Sequence, residues 1–212
     1  MPHAFTDLAF TPSVQAAQAR DGSRASYARQ AATQQGRTHH ALGPDEAAFL
    51  AQQRSVYLAT VSETGWPYVQ HRGGPAGFLK VLDAHTLGFA DFAGNRQFIT
   101  VGNAAVNDRV ALIVVDYANR VRLKILGHLS MRDLAPGDAL AQTLVDPAYK
   151  ARPQRAALIE VEGFDWNCPQ HIPQRFEADD VQRALAERDA RIAELEARLA
   201  AHPAPGPAVQ AA

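Results

Sequence analysis

A chain of 212 residues has room for one sizeable core with appendages, since domains commonly run to about 100–200 residues. Its 21 Lys and Arg stand against 22 Asp and Glu, for a formal net charge of −1. No overall field attracts nucleic acid or an anionic membrane, and any anion site must be local. The single cysteine, Cys168, excludes an intrachain disulfide framework and leaves no neighbouring Cys to complete a zinc site.

No run of about 18 apolar residues occurs, and the opening Met1 to Asp7 has no basic stretch leading into an apolar one. The expectation is a soluble, cytoplasmic protein with no membrane, nucleic-acid or metal partner. Residues 1–43 read as an arm rich in Ala, Gln and Arg, with helical patches between Ser13 and Gln35 around Gly22. Asp45 is the expected N-cap of a short helix over Glu46 to Gln53. Ser55 to Val61 is β-rich, Glu63-Thr64-Gly65 is a turn, and Trp66 to His71 alternates as an antiparallel hairpin partner. Further strands are expected at Gly77 to Leu82, Thr86 to Asp91, Arg109 to Tyr117, Arg120 to Met131 and Arg155 to Phe164. One short helix should begin at Asn95, and a second should span Pro136 to Leu144 with Pro136 in its first turn. Short connections between six or seven such runs favour an all-β barrel over βαβ units.

The end of the chain is different in kind. Val181, Leu185, Ile192, Leu195 and Leu199 fall at alternating spacings of three and four, broken only by Arg188. This heptad stripe marks a helix over 177–200, supported by the pairs Glu187–Arg191 and Glu194–Arg198. It has two uses: pairing two subunits, or packing on the barrel. The Pro/Ala-rich residues 201–212 read as a disordered tail, which leaves 44–176 as the barrel domain.

Three stretches can carry chemistry. In Gln70-His71-Arg72-Gly73-Gly74-Pro75-Ala76-Gly77-Phe78-Leu79-Lys80, the glycines either permit close approach of a ligand beside cationic groups or bend a barrel corner. Asp91-Phe92-Ala93-Gly94-Asn95-Arg96-Gln97 is either a phosphate cradle of free N–H groups and an Arg fork or a plain helix cap. Alternation through Arg120-Val121-Arg122-Leu123-Lys124-Ile125 puts Arg120, Arg122 and Lys124 on one strand face, either functional or merely solvated.

Together these runs resemble a family. Leu79-Lys80-Val81-Leu82-Asp83, Leu87-Gly88-Phe89, Gly94-Asn95-Arg96, Asn107 and Arg122-Leu123-Lys124-Ile125-Leu126-Gly127 follow the order of the flavin-binding core of pyridoxamine-phosphate-oxidase-like proteins. The likeness covers about Ser55 to Phe164. More narrowly, Trp66 to Pro75 with Gly94 to Gln97 and Trp166 to Ile172 is similar to a bacterial flavin-nucleotide-binding branch rather than the true oxidases. The resemblance implies a mainly β fold, an FMN-binding split β-barrel with small decorating helices, a homodimer with FMN at the subunit interface, and oxidoreductase chemistry on a small molecule.

It implicates Phe78, Leu79 and Lys80 along the FMN, Asp91 with Asn95, Arg96 and Gln97 around flavin and phosphate, and Arg122 and Lys124 beside the ring. Arg96 matches a phosphate-binding Arg. Gln97 stands where the oxidases carry a second basic residue, Pro75 stands where they carry an Arg, and Arg72 is the candidate replacement. Arg122 occupies the place of a Gln, and a cation there would favour anionic reduced flavin. The Arg-rich C-terminal segment of the oxidases is absent, so a substrate other than pyridoxamine phosphate is expected. His71, Cys168, His171 and Arg175 are its pocket candidates, although His171 and Cys168 also read as ordinary structural side chains. No residue is assigned as catalytic. The competing reading is a flavin or haem binder without turnover, acting as carrier, sensor or interaction module, with His71, His85, His128 and His171 as candidate haem ligands.

Overall fold

The computed structural model describes residues 5–33, 39–135, 137–167 and 169–201. They fall into two compact units, residues 1–116 with 120–172, and residues 117–119 with 173–212. Residues 202–212 of the expected tail, Cys168 and Pro136 lie outside the described residues, while Ala201 belongs to a helix.

In chain order the first unit contains helices α1 (Phe5–Ala9), α2 (Pro12–Arg20), α3 (Arg24–Thr33) and α4 (Pro44–Leu50), then strands β1 (Ser55–Val61), β2 (Pro67–Gly73), β3 (Lys80–Asp83) and β4 (Thr86–Phe92). Helix α5 (Ile99–Val106), strands β5 (Arg109–Asp116) and β6 (Val121–Asp133), helix α6 (Ala139–Leu144) and strand β7 (Pro153–Asn167) complete it. The strands form one antiparallel sheet in the order β2-β1-β5-β6-β7-β4-β3. Because β2 and β3 end that order without pairing to each other, the sheet makes a split barrel rather than a closed one.

The period-2 pattern sets the faces. Val56 and Leu58 of β1, Leu112 and Val114 of β5, Leu123 and Ile125 of β6 and Ile159 of β7 fill one core with Leu87 and Phe89 of β4. Strand β4 is buried on both faces: its other side meets a smaller cluster around Ala90, Leu144 and Ala156 beneath α6. Strands β6 and β7, 13 and 15 residues long, are bent by a register shift at Leu126/Gly127. Only glycine fits there, since a Cβ on Gly127 would stand 2.2 Å from the Glu160 carbonyl oxygen.

Several expected boundaries are corrected. Helix α4 is capped by Gly43 rather than Asp45, with Pro44 in its first turn and the Glu46 carboxylate accepting from the Gly43 N–H at 2.9 Å; it ends at Leu50. The strand expected at Gly77 begins only at Lys80, because Gly77 takes a φ of +72° against the Ala51 carbonyl. The helix expected from Asn95 starts at Ile99, because Arg96 and Phe98 have left-handed φ of 62° and 54°. Asp138 caps α6, its carboxylate accepting from the Leu140 N–H at 2.9 Å. Arg120 sits in the β5–β6 turn with a φ of 56°, so it does not share the strand face of Arg122 and Lys124.

The second unit holds helix α7 (Ala178–Ala201), with Asp179 and Asp180 in its first turn and Arg198 in its last, each sign favourable to the helix dipole. Before it, Gln174 donates to the Ala118 carbonyl at 2.9 Å, and the Arg175 guanidinium lies 5.0 Å from the Tyr117 ring centre. None of the residues of α7 is buried. Among the described residues, no helix is long and apolar enough to cross a membrane.

Candidate functional site

A shallow cleft, half open to solvent, lies where β2, the end of β4, the 93–98 loop and the start of β7 meet. Alternation along β2 turns Tyr68, Gln70 and Arg72 to one side, where all three line the cleft, and leaves Val69 and His71 exposed on the other. The two left-handed residues of the loop hold Asn95, Arg96 and Gln97 at the rim, with the Asn95 side-chain oxygen accepting from the Gln97 N–H at 3.3 Å. Behind the loop, α5 is anchored to the barrel by the buried Asn103 amide donating to the Thr60 hydroxyl at 2.9 Å.

The charge centre is Asp91, only 4% exposed at the end of β4. A carboxylate taken out of water needs compensation, and here it comes twice. The Arg155 guanidinium donates to Oδ2 from Nε at 3.0 Å and from Nη2 at 2.8 Å, and Arg72 Nη1 lies 3.0 Å from Oδ1. Arg155 is held from its other side by the Phe98 ring, 5.1 Å from the guanidinium carbon. Arg72 Nε is buried without a hydrogen-bond partner. Counting Arg96, three guanidinia line this cleft against one carboxylate among the described residues, which leaves it cationic.

Five of the residues singled out in the sequence therefore come together: Arg72, Asp91, Asn95, Arg96 and Gln97. Others do not. Phe78 and Leu79 are core residues, 5% and 1% exposed, and Lys80 borders a separate hollow with Phe92, Leu144 and Asp146. Lys124 pairs with Asp165 at 3.4 Å, lies 5.6 Å from the Phe5 ring centre, and borders an apolar groove with Tyr57, Val69 and Ala111. Arg122 stands two residues before it on the same side of β6, opposite Val115 of β5. His71 packs its ring against Tyr57 at 5.6 Å on the outer face, and His171 is exposed with a φ of 62°. Arg175 belongs to the second unit, and Cys168 is outside the described residues.

The residues missed by sequence reasoning are Arg155 and Phe98; Tyr68 and Gln70 lay within runs singled out above without being assigned to the site. A signal existed for the first: Asp91 is the one charge within Leu87 to Phe92, and a buried charge demands a cation.

A seven-stranded antiparallel sheet, coiled and left open between β2 and β3, with an arginine-rich cleft at one end, defines the split-barrel class. The family described as pyridoxamine 5'-phosphate oxidase matches residues 42–162, more than half of the chain, and the chain belongs to it. Among solved structures it is similar to an FMN-binding protein from Syntrophomonas wolfei, at 17% identity over 58% of this chain and 85% of that one, with a TM-score of 0.45. It is also similar to General Stress Protein 26 from Bacillus anthracis, at 13% identity over 57% and 91%, with a TM-score of 0.44. HupZ of Group A Streptococcus aligns at 15% identity over 64% and 99%, with a TM-score of 0.46. No curated protein matches the chain.

Proposed function

We propose that this chain is a cytoplasmic FMN-binding flavoprotein, working as a homodimer and serving as an oxidoreductase on a small molecule. The observation that carries the reading is the convergence of Arg72, Arg96 and Arg155 on one cleft, with Asp91 the one carboxylate among the described residues to balance them. A phosphate monoester carries up to two negative charges, which three guanidinia less one carboxylate match. The buried Arg72 Nε supports the fit, because a buried donor without an acceptor costs about 1–3 kcal/mol until a ligand oxygen answers it.

FMN supplies hydride or electron transfer when bound. The residues of the chain would bind and orient it: Asn95, Arg96 and Gln97 from the loop, Arg72 and Arg155 from the sheet, with Asp91 fixing the two sheet arginines. The homodimer rests on the resemblance, and an apolar strip on the outer face of β2, β1 and β5 supports it, with Val69 60% exposed beside Tyr57 and Ile113.

One observation favours a second reading, a flavin carrier or sensor without turnover. Among the described residues the cleft is lined by no His, Cys, Lys or Glu, and its Asp91 is occupied by two arginines. The absorption spectrum of the purified protein, recorded before and after anaerobic NADPH with the released cofactor identified by mass, separates the two. FMN that bleaches supports the oxidoreductase, FMN that stays oxidised supports the carrier, and colourless protein that refuses added FMN overturns both. Arg96→Ala should weaken FMN binding by about 1.5–3 kcal/mol, the worth of a charge-assisted contact; unchanged affinity would remove the loop from the site.

A further inference from the structure

We propose that α7 pairs with α7 of a second copy of this chain as a parallel, in-register, two-stranded coiled coil. This interface is separate from the flavin site and does not depend on that reading.

The helix is 24 residues long and has no buried residue. Its apolar stripe is left open to solvent: Val181, Leu185, Ile192 and Leu195 are 43–46% exposed and Leu199 is 78% exposed. With Leu185, Ile192 and Leu199 at heptad position a, and Val181, Arg188 and Leu195 at d, the seven-residue repeat holds along the whole helix. Position e is then Gln182, Asp189 and Glu196, and position g is Ala184, Arg191 and Arg198.

That distribution selects both the partner and its direction. In a parallel pair, each g residue meets the e residue of the next heptad on the other helix, so Arg191 meets Glu196 of the partner subunit, twice by symmetry. In an antiparallel pair, g faces g and e faces e, which would oppose arginine to arginine and carboxylate to carboxylate. Within one helix Arg191 pairs with Glu194 at 2.5 Å and Glu194 with Arg198 at 3.9 Å. Such exposed pairs contribute little and are exchanged at little cost.

The break in the stripe fits the same arrangement. At d, Arg188 stands opposite its own copy in a parallel pair, and each guanidinium is drawn outward to Asp189 of the partner subunit, the e residue that walls the same hole. A polar core residue of this kind lowers stability but fixes register. The β-branched Ile192 at a beside Leu195 at d favours two strands over three.

The test uses the full chain with Cys168→Ser, so that one introduced thiol is the only one. Leu195→Cys places a d residue beside its own copy, within disulfide reach in a parallel pair. Glu187→Cys places the thiol on the outward face. Under mild oxidation, the Leu195→Cys chain should form the interchain disulfide about tenfold faster or more than the Glu187→Cys chain, because pairing raises the local thiol concentration. Adding Arg191→Glu should slow the reaction, and adding Glu196→Arg to that variant should restore it. Equal rates for the two cysteine variants would overturn the proposal. So would a mixture of Leu195→Cys and Leu185→Cys chains that cross-links mainly between unlike chains, the result expected of an antiparallel pair. Flavin content, read on the same samples, reports on the proposed function separately.

Discussion

Asp91 is a carboxylate that the barrel keeps from water and that two guanidinia hold at 2.8–3.0 Å. Together with the Phe98 ring, it fixes Arg155 in place. Arg155→Gln leaves Asp91 paired with Arg72, so the barrel should still fold while the cleft loses one positive charge. FMN affinity should fall by about 10- to 150-fold, the equivalent of one charge-assisted contact. Riboflavin, which lacks the phosphate, should lose nothing. Fluorescence titration of both ligands checks this, and an equal loss for both would show that Arg155 acts on the barrel rather than on the phosphate. The sequence made Arg72, Asp91, Asn95, Arg96 and Gln97 legible because each lies in a motif or turn with a local signature. Arg155 was hidden because its partner lies 64 residues away. The two meet only because β4 and β7 pair with Asp91 opposite Arg155, and register is a product of the whole sheet. Phe78 and Leu79 lie in the core rather than in the cleft, a placement the sequence does not display, because an apolar pair beside a glycine turn looks the same whether it faces a ligand or the core.

At the scale of elements, alternation made the strands readable, and β1 falls on its expected Ser55 to Val61. Helix starts were harder to read, since backbone sign at Arg96 and Phe98 and the cap at Gly43 depend on contacts no local pattern displays. The β6 bulge was also invisible, because Gly127 passes for an ordinary member of an alternating run. Gly127→Ala should cost about 3 kcal/mol or more, the upper range of overpacking, because the atom struck is the Glu160 carbonyl and no rotamer relieves it. Urea unfolding measures the loss, and a cost near zero would mean that the β6–β7 pairing can slide. Acid should act through one cap and one surface ion pair. Asp138, which accepts from Arg132 and the Leu140 N–H, is held below the usual carboxylate range, and so is Asp108 through its hydrogen bond to His128. A depressed folded value means that the stabilisation is present above the unfolded value of about 3.9 and is lost as pH falls through the folded one. Thermal unfolding followed from pH 6 downward should therefore separate native protein from Asp138→Asn at the upper end, with the gap beginning to shrink near about pH 4 and closing only below the folded value. A constant gap at all pH values would show that the cap contributes as a neutral acceptor.

For the whole molecule, two faces are proposed to meet a second copy, and they can be removed one at a time. The outer strip around Val69, Tyr57 and Ile113 belongs to the barrel; the stripe of Ile192 and Leu195 belongs to α7. Val69→Asp puts a charge in the centre of the strip, where burial against a like surface would leave it unpaired. If the flavin site is completed across that interface, the variant should lose FMN even though Val69 itself points away from the arginine cleft. Its mass by light scattering should remain that of two chains wherever the helix pair holds, and should fall to one chain only when Ile192→Asp is added. Full FMN affinity in Val69→Asp would mean that a single protomer builds the whole site. A one-chain mass for Val69→Asp alone would instead show that three heptads are too few to hold two barrels together, since a coil this short draws much of its strength from the high local concentration that a second interface provides.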